Sequence, residues 1–149
     1  MALEIAAGIR EDILRLIVPT RKEVDLQKGI IDLLKGELRA QAQNLDINYA
    51  FIEPQGSTGK KQTQLRHDAD IDLFVGLEKS DYQEILSLEP DKRDRRLGEI
   101  LDGLVENWFR PVLNRASANQ IQKAYSQHPY LTGRIDGVDI DIVFCFDLS

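Results

Sequence analysis

Excess positive charge is missing from this chain. Its 149 residues carry 19 Lys and Arg against 25 Asp and Glu, a net charge of −6, which excludes binding nucleic acid through a basic surface spread over the whole molecule. Local clusters at Lys60-Lys61 and at Lys92-Arg93-Asp94-Arg95-Arg96 remain, the second also readable as the solvated face of a helix. Cysteine is nearly absent: Cys145 stands alone, so neither an internal disulfide nor a cysteine metal cage is available, as expected of a reducing, cytoplasmic setting. No apolar run approaches the ~18 residues of a membrane span, and Met1 leads into Ala-Leu-Glu-Ile rather than into a basic and then apolar signal segment. At this length two globular units are not expected, and with 42% hydrophobic and 30% charged residues the chain has the composition of one folded domain spanning 1–149.

What is present is strongly periodic. Leu3, Ile5, Ile9, Ile13, Leu16 and Ile17 recur at helical spacing up to Pro19. Thr20-Arg21-Lys22-Glu23 reads as a capping box opening a second helix, whose apolar positions Val24, Ile30, Ile31, Leu34, Leu38 and Leu45 run to a stop near Asn44. Asp46 to Glu53 turns to aromatic and β-branched residues and predicts a strand closed by Pro54; Asp70 to Val75 alternates as a second strand. Leu97, Ile100, Leu101, Leu104, Val105 and Trp108 predict a helix from Asp91 to Phe109, ended by Pro111. Ile121–Ser126 and Tyr130–Ile135 read as strands, and Asp136-Gly137 as a two-residue turn returning through Val138–Phe146. The resulting fold class is α+β, with helices on one face of a mixed or antiparallel sheet.

Two strands share an unusual grammar. In Asp70-Ile71-Asp72-Leu73-Phe74-Val75 the aspartates alternate with a core face, and Val138-Asp139-Ile140-Asp141-Ile142-Val143-Phe144 repeats the pattern. Aspartate is depleted in strands, so two such strands in one short domain point beyond solvation. If they are neighbours, three or four carboxylates converge, and their repulsion raises pKa values or demands cations. Oxygen ligands alone select hard ions, Mg2+ or Mn2+. Between the first two strands, Gly56-Ser57 with Thr58, Lys60, Lys61 and Thr63 offers close backbone approach, a hydroxyl and positive charge to a phosphate, without the spacing of a Walker loop. His67 reads as a surface-loop residue and His128 as structural; Cys145 reads as a small buried hydrophobe, and Trp108, Phe74 and Tyr130 as core.

Taken together, strand, Gly-Ser, Asp-x-Asp strand and a later aspartate strand resemble the nucleotidyltransferase superfamily to which DNA polymerase beta belongs. Within it, Pro19-Thr20-Arg21-Lys22-Glu23, Gly56-Ser57, Asp68-Ala69-Asp70-Ile71-Asp72-Leu73-Phe74-Val75, His128-Pro129-Tyr130 and Asp139-Ile140-Asp141-Ile142-Val143-Phe144-Cys145-Phe146 are similar to the catalytic head domain of archaeal, class I CCA-adding tRNA nucleotidyltransferases. The resemblance implies a metal-binding triad of Asp70, Asp72 and Asp141, a triphosphate-binding turn at Gly56 and Ser57 with Lys60 or Lys61 beside it, Mg2+ or Mn2+ as cofactor, and CTP or ATP and a tRNA 3′ end as substrates. Phe144 stands where the family usually has proline, and the loop from Ser57 to Asp70 is one residue longer than the family pattern. The family enzymes continue into nucleotide-base and tRNA-binding domains beyond the position of Ser149, so the expectation is an excised head domain or a minimal relative needing a second chain, with an apolar strip at Phe144, Phe146 and Leu148 for docking. A nucleotidyltransferase acting on a protein or small molecule, and a binding module that keeps the fold without turnover, share the same residues.

Overall fold

The computed structural model describes residues 21–54 and 69–147. The predicted helix over 3–18, Thr20 of the capping box, Gly56, Ser57, Lys60, Lys61, His67 and Leu148 lie outside the described residues.

Helix α1 spans Arg21–Leu45 and buries Ile30, Leu34, Leu38 and Ala42, a four-residue repeat that lays one stripe on the core. Val24 and Leu45, read as part of that stripe, are exposed. The helix ends in a Schellman motif: Asp46 adopts φ 55°, its N–H donates to Gln43 O at 3.2 Å, and Ile47 N–H donates to Ala42 O at 2.8 Å. This cap occupies the residues expected to begin the first strand, so strand β1 is only Phe51–Pro54. Strand β2, Ile71–Glu78, runs three residues beyond its predicted end and leads through a 3-10 turn at Lys79–Tyr82 into the short helix α2, Gln83–Leu86.

Helix α3, Pro90–Leu104, does not stop at Pro111. It continues through a π turn at Val105–Phe109 into α4, Arg110–Arg115. Pro111 has no N–H to offer the carbonyl four residues back, Asn107; that carbonyl instead accepts from Gln41 Nε2 of α1 at 3.0 Å. The wider π turn also directs the Trp108 indole at α1, where Nε1 donates to Leu38 O at 2.8 Å. A proline that reads as a terminator thus becomes a tie between two helices.

Strands β3, Asn119–Tyr125, β4, Pro129–Ile135, and β5, Val138–Asp147, complete a five-stranded sheet of order β1-β2-β5-β4-β3. The β4–β5 turn is as read, with φ 50° at Asp136 and 80° at Gly137. All pairings are antiparallel except β2 with β5, which is parallel, giving the mixed sheet and α+β class expected of a nucleotidyltransferase fold. Ile71, Leu73, Val75 and Leu77 of β2 and Ile140, Ile142 and Phe144 of β5 are buried with Leu34, Leu38, Leu101 and Trp108 in one core. Phe144, expected to be exposed, is 3% accessible and stacks on Phe109 at 4.5 Å. Its place in the β5 alternation, with Ile140 and Ile142, turns it inward. Among the described residues no helix is long and apolar enough to cross a membrane.

The rim carries one charge network. Glu106 receives Arg110 Nε at 2.6 Å, and Lys123 Nζ lies 3.0 Å from Glu106 and 2.8 Å from Asp102. The hydrogen bond from Arg110, then that from Lys123, holds the Glu106 carboxyl down at about 2. A depressed folded pKa contributes stability that is complete above the unfolded value and lost as pH falls toward 2. Because these side chains are partly solvated, Glu106→Gln is expected to cost no more than about 1 kcal/mol near pH 7, with the deficit closing between pH 4.5 and about 2. Urea melts of both proteins across that range check this; a deficit unchanged at pH 2 would refute it.

Candidate active site

Strand alternation separates the sheet into two chemistries. A side chain at Gly133 would meet Leu113 of α4 at 3.1 Å, so Gly133 faces the helices and its neighbours Thr132 and Arg134 face away. Thr132 is the register partner of Asp141, and Arg134 of Asp139. Asp141 is in turn the partner of Asp72 across the parallel pair. Asp72, Asp141 and Thr132 therefore form one row across β2, β5 and β4 on the face opposite the helices, with neighbouring strands about 4.8 Å apart.

Both aspartates are buried, Asp72 at 9% and Asp141 at 6% exposure. The next row over on the same face holds Phe74 and its register partner Val143, both half-buried. Asp72 Oδ1 is buried and accepts no hydrogen bond among the described residues, while the residue as a whole has other interactions. Burying like charges side by side costs several kcal/mol per ion unless a countercharge joins them. Asp70 sits differently: it is exposed at the bend before β2, and its Oδ2 accepts the Asp139 N–H at 3.0 Å. The structure thus brings Asp72 and Asp141 together and ties Asp70 to the start of β5. Among the described residues no group of three or more His, Cys, Asp or Glu side chains is placed to hold a metal ion.

Two residues read as core belong to this face. Phe74 is half-buried on it, one pleat from Asp72. Tyr130 has its phenol pushed up first by burial and then by the charges of Asp141 and Asp72, and alternation along β4 sets it on the same side as Thr132. Alternation could have found both, because Phe74 is two residues from Asp72 and Tyr130 is two from Thr132. Trp108 is core as expected. Cys145 is half-buried on the acidic face, in register with Gly76. His128 packs edge-on against Phe146 at the far end of β5.

No protein-family model matches the chain. Curated proteins do. The chain is 32% identical over 135 residues to the CCA-adding enzyme of Saccharolobus islandicus, covering 91% of this chain and 26% of that protein. It is 31% identical to the CCA-adding enzyme of Saccharolobus solfataricus over the same shares. The CCA-adding enzyme of Methanococcus maripaludis is 30% identical over 141 residues, 95% of this chain and 27% of that protein. The chain spans about a quarter of the length of these relatives. Over that quarter the chain is similar in sequence to CCA-adding enzymes from several archaea, and its five-stranded mixed sheet is consistent with a nucleotidyltransferase fold.

Proposed function

We propose that the acidic face transfers a nucleotide from CTP or ATP to the 3′-hydroxyl of an RNA, a tRNA end in keeping with the name its relatives carry. The observation that supports this most is the register pairing of two buried aspartates, Asp72 and Asp141, on the open side of the sheet. Their chemistry fits a hard divalent ion: both are carboxylate oxygen donors, side by side on neighbouring strands. Asp70 is the third donor once its carboxylate leaves the Asp139 N–H, a short side-chain rotation at an exposed bend. Mg2+ or Mn2+ bound there supplies charge neutralisation of the phosphates and a more acidic attacking hydroxyl.

The chain's own part is placement. Asp72, at the β2 end of the row, aligns the α-phosphate; Asp141, between Asp72 and β4, faces the acceptor. Gly56 and Ser57 hold the triphosphate tail through backbone N–H groups and a hydroxyl, with Lys60 or Lys61 adding charge. The 3′-oxygen forms a bond to the α-phosphorus, the bond to the bridging oxygen breaks, pyrophosphate leaves with the electron pair, and the hydroxyl proton passes to water. Positioning and electrostatics supply the rate. The test is incubation with labelled CTP or ATP, RNA ending in a 3′-hydroxyl, and Mg2+: lengthened RNA with pyrophosphate release is expected, and none in chelator. Product formation indifferent to chelator would rule the reading out.

A further inference from the structure

We propose that the groove between α2 and α3 docks an acidic amphipathic helix of a second protein. The basic cluster Lys92-Arg93-Asp94-Arg95-Arg96 is more than an evenly solvated helix face. Lys92, Arg95, Arg96 and Glu99 follow one another at three- and four-residue steps and so share the face of α3 opposite buried Leu97 and Leu101. Glu84 and Ile85 of α2, with Leu88 beyond it, stand across from that face and enclose a groove of about 420 Å³ with the α3 side chains. Leu88 is 39% exposed and Ile85 only half-buried. One wall of the groove is therefore apolar and open to solvent, whereas Phe144, where a second chain was expected to dock, is buried.

Charge selects the occupant. Arg96 pairs with Glu99 at 3.4 Å, and Arg93 with its neighbour Asp94 at 3.4 Å. Lys92 and Arg95 are exposed and have no ion-pair partner among the described residues, in a chain whose net charge is −6. They stand one helical turn apart, so carboxylates recurring at the same interval match them, and a helix lying along α3 has that interval. Between those carboxylates an apolar side chain reaches Ile85 and Leu88, as an amphipathic helix does in a groove. A phosphodiester chain fits less well: it brings nothing apolar to Leu88, and Glu84 and Glu99, one on each wall, repel its charge at every nucleotide. Because α3 covers the sheet face opposite Asp72 and Asp141, a docked partner leaves the acidic row open, and the inference holds whatever that row transfers.

The experiment measures fluorescence anisotropy of a labelled helical peptide of about 16 residues, with leucines along one stripe and glutamates flanking them, titrated with the wild type. Saturable binding that weakens as salt is raised is expected. The double variant Lys92→Glu, Arg95→Glu is expected to weaken it at least about tenfold, as is Leu88→Asp. A peptide with lysines in place of the glutamates is expected to bind the double variant and not the wild type, a recovery that an unfolded variant does not give. Absence of binding by the wild type, equal binding of the two peptides, or equal binding by wild type and double variant would overturn the proposal. So would a need for Lys92 and Arg95 in binding single-stranded RNA, anionic phospholipid vesicles or a second copy of the chain, but not in binding the acidic peptide.

Discussion

Asp72→Asn and Asp141→Asn are each expected to reduce nucleotidyl transfer on the order of 10³-fold or more while leaving the fold as stable as before or slightly more so. The two carboxylates are register partners, buried at 9% and 6% exposure, and each carries a charge the other repels. Asparagine keeps the shape, removes one charge and adds an N–H donor to the pair. Relief of about 1 kcal/mol raises the melting temperature of a chain this size by roughly 3 °C. Stability and activity therefore move in opposite directions, the signature of a site that is strained for its task. Thermal melts in chelator decide the point: a fall of several degrees in both variants would mean that the aspartates hold the fold together.

The second large effect lies in the core. Trp108→Ala is expected to cost about 3–5 kcal/mol, a large share of the roughly 5–15 kcal/mol by which domains are stable. The indole is fully buried, with ring centroids 5.4 Å from Phe109 and 6.4 Å from Phe144, and its N–H closes on Leu38 O. Truncation empties the junction of α1, the π turn and β5 at once. Trp108→Phe keeps most of the volume and loses the hydrogen bond, a cost of about 1–2 kcal/mol. Urea unfolding of the two variants separates the contributions; a Trp108→Ala loss below about 1 kcal/mol would contradict the packing described.

The elements easiest to read were those governed by strict local periods. Asp-x-Asp strands alternate with period two, and Asp136-Gly137 has the one turn geometry that tolerates positive φ at both positions. The misreadings have local causes of another kind. Asp46 took a left-handed cap more often given to glycine, which shortened β1. Pro111 was absorbed by a π turn because Gln41, far away in sequence, could satisfy the carbonyl it left open. The parallel pairing of β2 with β5 joins residues 69 positions apart, Asp72 and Asp141, and no local pattern specifies it. Phe74 and Tyr130 read as core because aromatic residues usually are, although their parity with Asp72 and Thr132 assigns them to the acidic face.

Isothermal titration of the wild type with CTP or ATP, with and without Mg2+, and of Asp72→Ala under the same conditions, tests most directly whether the acidic row is a metal-dependent triphosphate site. Triphosphate oxygens complete a coordination shell that the carboxylates begin, so tight binding is expected only when protein, metal and triphosphate are all present, and its loss in Asp72→Ala. Equal metal-dependent binding by the two proteins, or binding by the wild type that ignores the metal, would contradict it.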